Sequence, residues 1–176
     1  MLLWFTQTWF MQGVLHPLQT PSHIILILGL AFLIGQQSQF KALLLTPFTI
    51  LTGFAVNHYT LLDWNTELIL LILALTCGFL LLLRLKLPVL VGLALLILSS
   101  FVLGLDSSPI MIPGLSINSI LSWWIGAALT LILGIMILSM PAFYLSRYWN
   151  GIILRMAGSW IATSAIFVLT LMLAGR

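Results

Sequence analysis

The sequence predicts an all-α integral membrane protein, a six-transmembrane-helix bundle with a short N-terminal interfacial helix. Three observations predict it. First, 62% of the 176 residues are hydrophobic and only 5% are charged, whereas a soluble domain carries about a quarter charged residues to cover its surface. Second, apolar runs near the length of a bilayer span recur along the whole chain, and a span needs about 20 such residues. Third, the few cations fall in alternate connections between those runs. The length suits one domain. Six Lys and Arg scattered over the chain form no nucleic-acid patch. The single cysteine, Cys77, lies in an apolar run and reads as a small buried hydrophobe.

Residues 1–20 lack the basic start and small-residue cleavage site of a signal peptide. Thr6, Gln7, Thr8 and Gln12 interrupt the segment, while Trp4, Phe5, Trp9 and Phe10 are aromatics suited to headgroup depth. It reads as a short helix in or near the interface. The first span is expected at 22–37, opened by Pro21 and closed by Gln36, Gln37, Ser38 and Gln39. The second, 41–58, holds Pro47 in its second turn, where proline bends a helix. The third covers 65–85. The fourth, 88–105, opens with Pro88, a good first-turn residue. The fifth, 118–140, is expected to stop at Pro141, and the sixth covers 150–173. Connections are short, so consecutive helices are expected to be antiparallel neighbours. Only 106–117, with Pro109, Pro113 and Gly114, is too irregular for a helix. In the fifth helix Gly126, Thr130 and Gly134, and in the sixth Gly158 and Ala162, recur at four-residue spacing. Small residues so placed let helices approach closely, within the bundle or against another subunit. Trp160 lies deep in its helix and reads as packing.

Orientation follows from the charges. Lys41, Arg84, Lys86, Arg147 and Arg155 belong to one side of this topology, and Asp63, Glu67 and Asp106 to the other. The positive-inside rule puts the cations in the cytoplasm, and both termini, with Arg176, on the non-cytoplasmic side. Trp64, Trp123 and Trp124 would mark the outer boundary, and Tyr144, Tyr148 and Trp149 the inner one. The expectation is a multi-pass protein of a bacterial-type inner or equivalent membrane, with the lipid bilayer as its surroundings.

His16, His23 and His58 then share the outer face with every acid of the chain. Imidazole and carboxylate are ligands for divalent transition metals, and an ionisable group entering a membrane helix is a functional candidate. His23 and Glu67 stand out, because each sits where a helix enters the membrane. Loops also hold ordinary polar residues: Asp63 and Asp106 read as solvated loop acids, and Glu67 suits the positive end of a helix dipole. No catalytic constellation is evident, so the chain does not read as an enzyme. His23 and His58 at similar depth also leave open a haem held by two histidines.

The stretch GVLHPLQTPSHIILILGLAFLIGQQ, residues 13–37, resembles the first transmembrane segment of the HupE/UreJ family. These are small membrane proteins associated with nickel hydrogenases and ureases and regarded as nickel or cobalt permeases. Gly13, His16, Pro17, His23 and Gln36 match the family pattern. Residues 65–98 follow its acidic start, basic turn and proline, with Glu67 at the family's acid, and 155–173 follow its closing Arg-x-x-Gly helix. The resemblance implies a six-helix permease for a divalent ion such as nickel or cobalt. Its capture site would comprise His16, His23 and Glu67, with His58 assisting and an inward path past Asn57 and Ser99. The departures are specific. Thr20-Pro21-Ser22-His23 replaces Gly-x-Asp-His, and residues 99–109 lack the family's second histidine cluster. They motivate an alternative: the same scaffold as a non-transporting accessory or structural subunit of a larger membrane complex.

Overall fold

The structure, a computed structural model, describes residues 8–60, 65–109 and 116–175. The expectations for Trp4, Phe5, Asp63, Trp64, Pro113, Gly114, Arg176 and the side chain of Trp149 lie outside the described residues. The described residues form seven α-helices and no strand. Helix α1 is Trp9–Gln19, α2 Pro21–Gln37, α3 Thr46–Thr60, α4 Thr66–Leu83, α5 Val89–Asp106, α6 Ile117–Arg147 and α7 Ile152–Ala174. Short 3-10 segments, Phe40–Leu45 and Tyr148–Gly151, lead into α3 and α7.

The ends follow local chemistry. Thr8 caps α1 by accepting from the Met11 N–H, and Ser116 caps α6 by accepting from the Ser119 N–H. Pro21 takes the first position of α2, where its missing N–H costs nothing. Left-handed residues, Ser38 (φ 58°) and Arg84 (φ 52°), stop α2 and α4.

Five segments are long and apolar enough to cross a membrane: Phe40–Thr60, α4, α5, α6 and α7. The sixth candidate is the pair α1 and α2, which meet at 73°. Alone, the 17 residues of α2 rise about 25 Å, a little short of a hydrocarbon core of about 30 Å. The architecture is an all-α membrane bundle, and large apolar side chains such as Leu90, Phe48 and Ile137 cover its exposed surface.

Four expectations need correction. Helix α6 does not stop at Pro141 but continues through it to Arg147. Proline removes one helix hydrogen bond, a loss tolerated in membrane helices where neighbours hold the chain. Here α2 supplies the neighbour: Gly35 packs on the backbone of Ser139 and Phe143, and Phe40 meets the Phe143 ring at 5.3 Å. Pro47 does not bend a helix either, because the chain before it is 3-10 and the proline stands in the first turn of α3.

The most extensive packing also joins helices that are not consecutive: α4 with α7, α1 with α6, α3 with α5, and α2 with α6 and α4. Reciprocal glycines explain three of these pairs. Gly13 meets the Trp123 backbone while Gly126 meets that of Phe10; Gly53 and Gly104 do the same for α3 and α5. A Cβ at Gly78 would lie 2.8 Å from Ala162 N, and one at Gly158 would lie 2.8 Å from Gly78 O. In lipid, where apolar burial drives little association, such close approach is what selects partners. The small-residue faces of α6 and α7 are therefore packing faces inside the bundle. Helix α2 is central, burying Leu26, Leu30, Ala31 and Ile34 against α4, α6 and α7.

Trp160 departs from its expected packing role, being 76% exposed on α7.

Candidate metal centre

His16 and His23 are seven residues apart, and on one straight helix that spacing separates them by about 10 Å along the axis. The chain avoids this at Thr20. Pro21 has no N–H to extend α1, and Thr20 closes it by donating both its backbone N–H (3.2 Å) and its Oγ1 hydroxyl (2.9 Å) to the His16 carbonyl. The resulting 73° bend folds α1 back, and the two imidazoles meet edge to face with ring centroids 5.4 Å apart. His23, in the first turn of α2, is completely buried.

The third member comes from far along the chain. Asp106 is the last residue of α5, and its Oδ2 lies 2.7 Å from His23 Nε2. Thr66, the first residue of α4, donates its hydroxyl to Asp106 Oδ1. The expectation of a solvated loop acid is thus corrected: the Asp106 side chain is 19% exposed and paired through both oxygens. Burial of a carboxylate demands such partners. Trp123 of α6 closes the arrangement. Its indole packs on His16 at 5.6 Å and its Nε1–H donates to the Ser107 carbonyl at 2.8 Å, tying α6 to the end of α5.

One ligand atom from each of His16, His23 and Asp106 lies within 4.8 Å of the others. Ligands of one transition metal, each about 2.0–2.2 Å from it, need a spacing slightly tighter than that. The three side chains are of the donor types that such an ion takes. Several polar atoms here are also unsatisfied. His16 Nε2, His23 Nδ1, Ser22 Oγ and Ser107 Oγ are buried with no hydrogen-bond partner, and buried polar atoms ordinarily have one. A cavity of about 330 Å³, lined by Gln12, Leu15, His16, Gln19 and Trp123, lies beside His16.

The expected site residues divide. His16 and His23 come together. Glu67 follows Thr66 but is exposed and outside the group. His58 sets its ring edge against Trp124 at 5.7 Å, and Trp124 in turn stacks on Phe54 at 5.6 Å. A haem held by His23 and His58 has no support in these contacts. Asp106, which sequence reasoning set aside, completes the group. The signal for it was present: it ends a strongly apolar helix and is one of only three acids in the chain. An ionisable residue at such a position is a functional candidate by default.

No family model matches the chain, nor does any curated protein or solved structure.

Proposed function

We propose that this chain is a permease of HupE/UreJ type for a divalent transition metal, nickel or a close relative, captured by His16, His23 and Asp106. The observation that supports the reading best is the convergence of two imidazoles and a carboxylate from three different helices, at one end of an otherwise apolar bundle. Two nitrogens and one oxygen suit nickel, cobalt or zinc better than a hard cation such as magnesium. In this reading Asp106 replaces the aspartate that the family pattern places just before the second histidine.

The ion enters through the cavity beside His16. His16 takes it first, and His23 and Asp106 close around it. With Asp106 ionised, a neutral His23 carries its proton on Nε2 facing the carboxylate; ligation at Nε2 moves that proton to Nδ1. Thr66 keeps its bond to Asp106 Oδ1 throughout and so orients Oδ2, as partners of metal ligands commonly do. One carboxylate offsets only half of a divalent charge. Ser99 offers the next polar stop, buried and without a partner, seven residues before Asp106 on the same face of α5.

Uptake of radioactive nickel by cells expressing the chain tests this. Accumulation above the empty vector is expected, with loss in His23→Ala. Uptake unchanged by that substitution would overturn the reading.

A second reading, an accessory subunit of a larger membrane complex, draws on α7. Trp160, Thr163 and Ser164 are exposed together with Ser159 beside them, around a shallow cavity of about 350 Å³. Hydroxyls and an indole on a membrane-facing surface suit contact with another helix. Purification in mild detergent separates the readings: a stoichiometric partner chain favours the second, and a free chain the first.

A further inference from the structure

The five described cations gather at the end of the bundle opposite the histidines. Lys41 lies in the 3-10 segment after α2; Arg84 and Lys86 join α4 to α5. Arg147 ends α6 with its guanidinium 4.3 Å from the Phe143 ring, and Arg155 Nε donates to the Leu82 carbonyl at 3.1 Å. Neither described acid, Glu67 or Asp106, is at this end.

A cavity of about 440 Å³ opens here between Gln36, Gln37, Arg84, Lys86 and Ser146. Its walls are held in place. Gln37 donates its side-chain N–H to the Leu85 carbonyl at 2.6 Å and accepts from the Leu87 N–H at 3.4 Å, fixing the Arg84–Lys86 turn against the end of α2. Gly151, left-handed at φ 68°, lies in contact range of the Arg84 side chain, 3.5 Å from its Nε to an added Cβ. Gln36 is the informative residue. Both polar atoms of its amide are sealed from the cavity and without a partner in this conformation, while the residue itself lines the cavity, so a turn of the side chain brings the amide to an occupant. Such an amide awaits something to bond.

We propose that this cavity binds a phosphate group carried by an anionic ligand, with an acidic phospholipid headgroup and free phosphate as its two sources. Arg84 and Lys86 supply the charge. Guanidinium matches phosphate geometry in a way few other side chains do, and the Gln36 amide, turned toward the cavity, donates from the inner wall. The C-termini of α2, α4 and α6 end nearby, and their carbonyls oppose an anion. The two positive side chains offset that field and at the same time bar a metal ion. This end is therefore built for the opposite charge from the histidine end, and the proposal stands independently of metal transport.

The test uses the full chain in an uncharged detergent. Native mass spectrometry counts bound phosphatidylglycerol against phosphatidylcholine of the same chain length. A parallel arm follows thermal unfolding with inorganic phosphate against chloride at equal ionic strength. Retention of phosphatidylglycerol is expected to exceed that of phosphatidylcholine by at least about fivefold, the worth of one basic residue at an anionic surface. Arg84→Gly removes the guanidinium while suiting the left-handed backbone, so its effect does not come from misfolding. It and Lys86→Gln should each reduce retention by about fivefold. Gln36→Leu should weaken binding with no change in charge. Protection by inorganic phosphate that Arg84→Gly abolishes, without preference between the lipids, supports phosphate binding and makes free phosphate the source. Equal retention of both lipids with no effect of phosphate overturns the proposal. So does a Gln36→Leu variant that binds like the wild type while the cation variants do not, because charge on the surface would then suffice.

Discussion

At one end of the bundle a carboxylate, two imidazoles and a hydroxyl converge in the protein interior, each reaching from a different helix. At the other end five cations lie where the helices stop, all of them exposed: Lys41, Arg84, Lys86, Arg147 and Arg155. The first arrangement exists only through tertiary structure. His23 and Asp106 are 83 residues apart, and neither would tolerate burial without the other. The second follows from topology, since cations stay in the connections on one side whatever the helices do between them. Buried polarity must be assembled and is fragile, whereas exposed charge is robust. Substitutions should therefore cost much at the first end and little at the second.

Asp106→Ala should have the largest effect, leaving His23 buried with nothing to receive its proton. A loss of about 3 kcal/mol, at the upper end for a buried hydrogen bond to a charged group, should show as a clear drop in the detergent unfolding midpoint. Asp106→Asn, which keeps size and an acceptor, should lose less than half of that. A similar loss in both variants would mean that packing, not charge, matters at this position. Gly158→Val comes next: its side chain would press Leu81 and the Gly78 backbone, and an overpacked contact costs about 1–3 kcal/mol. Thr66→Val should follow. Removing one hydrogen bond to a carboxylate costs about 1.5–3 kcal/mol when buried, and the partial exposure of Thr66 puts it at the low end. If the site takes a metal, the same change should weaken nickel affinity by about tenfold, read by equilibrium dialysis. The smallest change belongs to the other end. Ser38→Gly relieves a left-handed residue (φ 58°) and should leave stability equal or raise it by up to about 1 kcal/mol. A loss there would show that the basic end is as finely built as the histidine end.

Much of the fold was legible in hydropathy, because a span must be apolar along its whole length. The sequence placed α2, α4, α5 and α7 within a few residues of their bounds. Pro141 misled because a proline's own chemistry favours a stop; the packing of Gly35 and Phe40 on that turn is invisible to local reasoning. Helix neighbours misled for the same reason, since short connections limit distance but glycine complementarity selects partners. In the site, His16 and His23 were legible as a local pair. Their mutual approach was not, because it depends on the bend at Thr20. Asp106 was seen but misread, because an acid preceding a proline-rich loop carries no local mark of its distant partners.

The pairing of α1 with α6 has a consequence for how the protein is made. Gly13 has no backbone surface to dock on until Gly126 and Trp123 have left the ribosome. Helix α4 similarly waits for α7, three helices later in the chain. Helices α1 and α4 therefore lack their main partners while the rest is inserted, whereas α3 with α5 and α2 with α4 already have theirs; association follows insertion. A nascent chain stopped before residue 117 would hold both His23 and Asp106 yet lack the surface that fixes His16. The packing of α1 and α4 is completed by α6 and α7, although α1 carries half of the histidine pair.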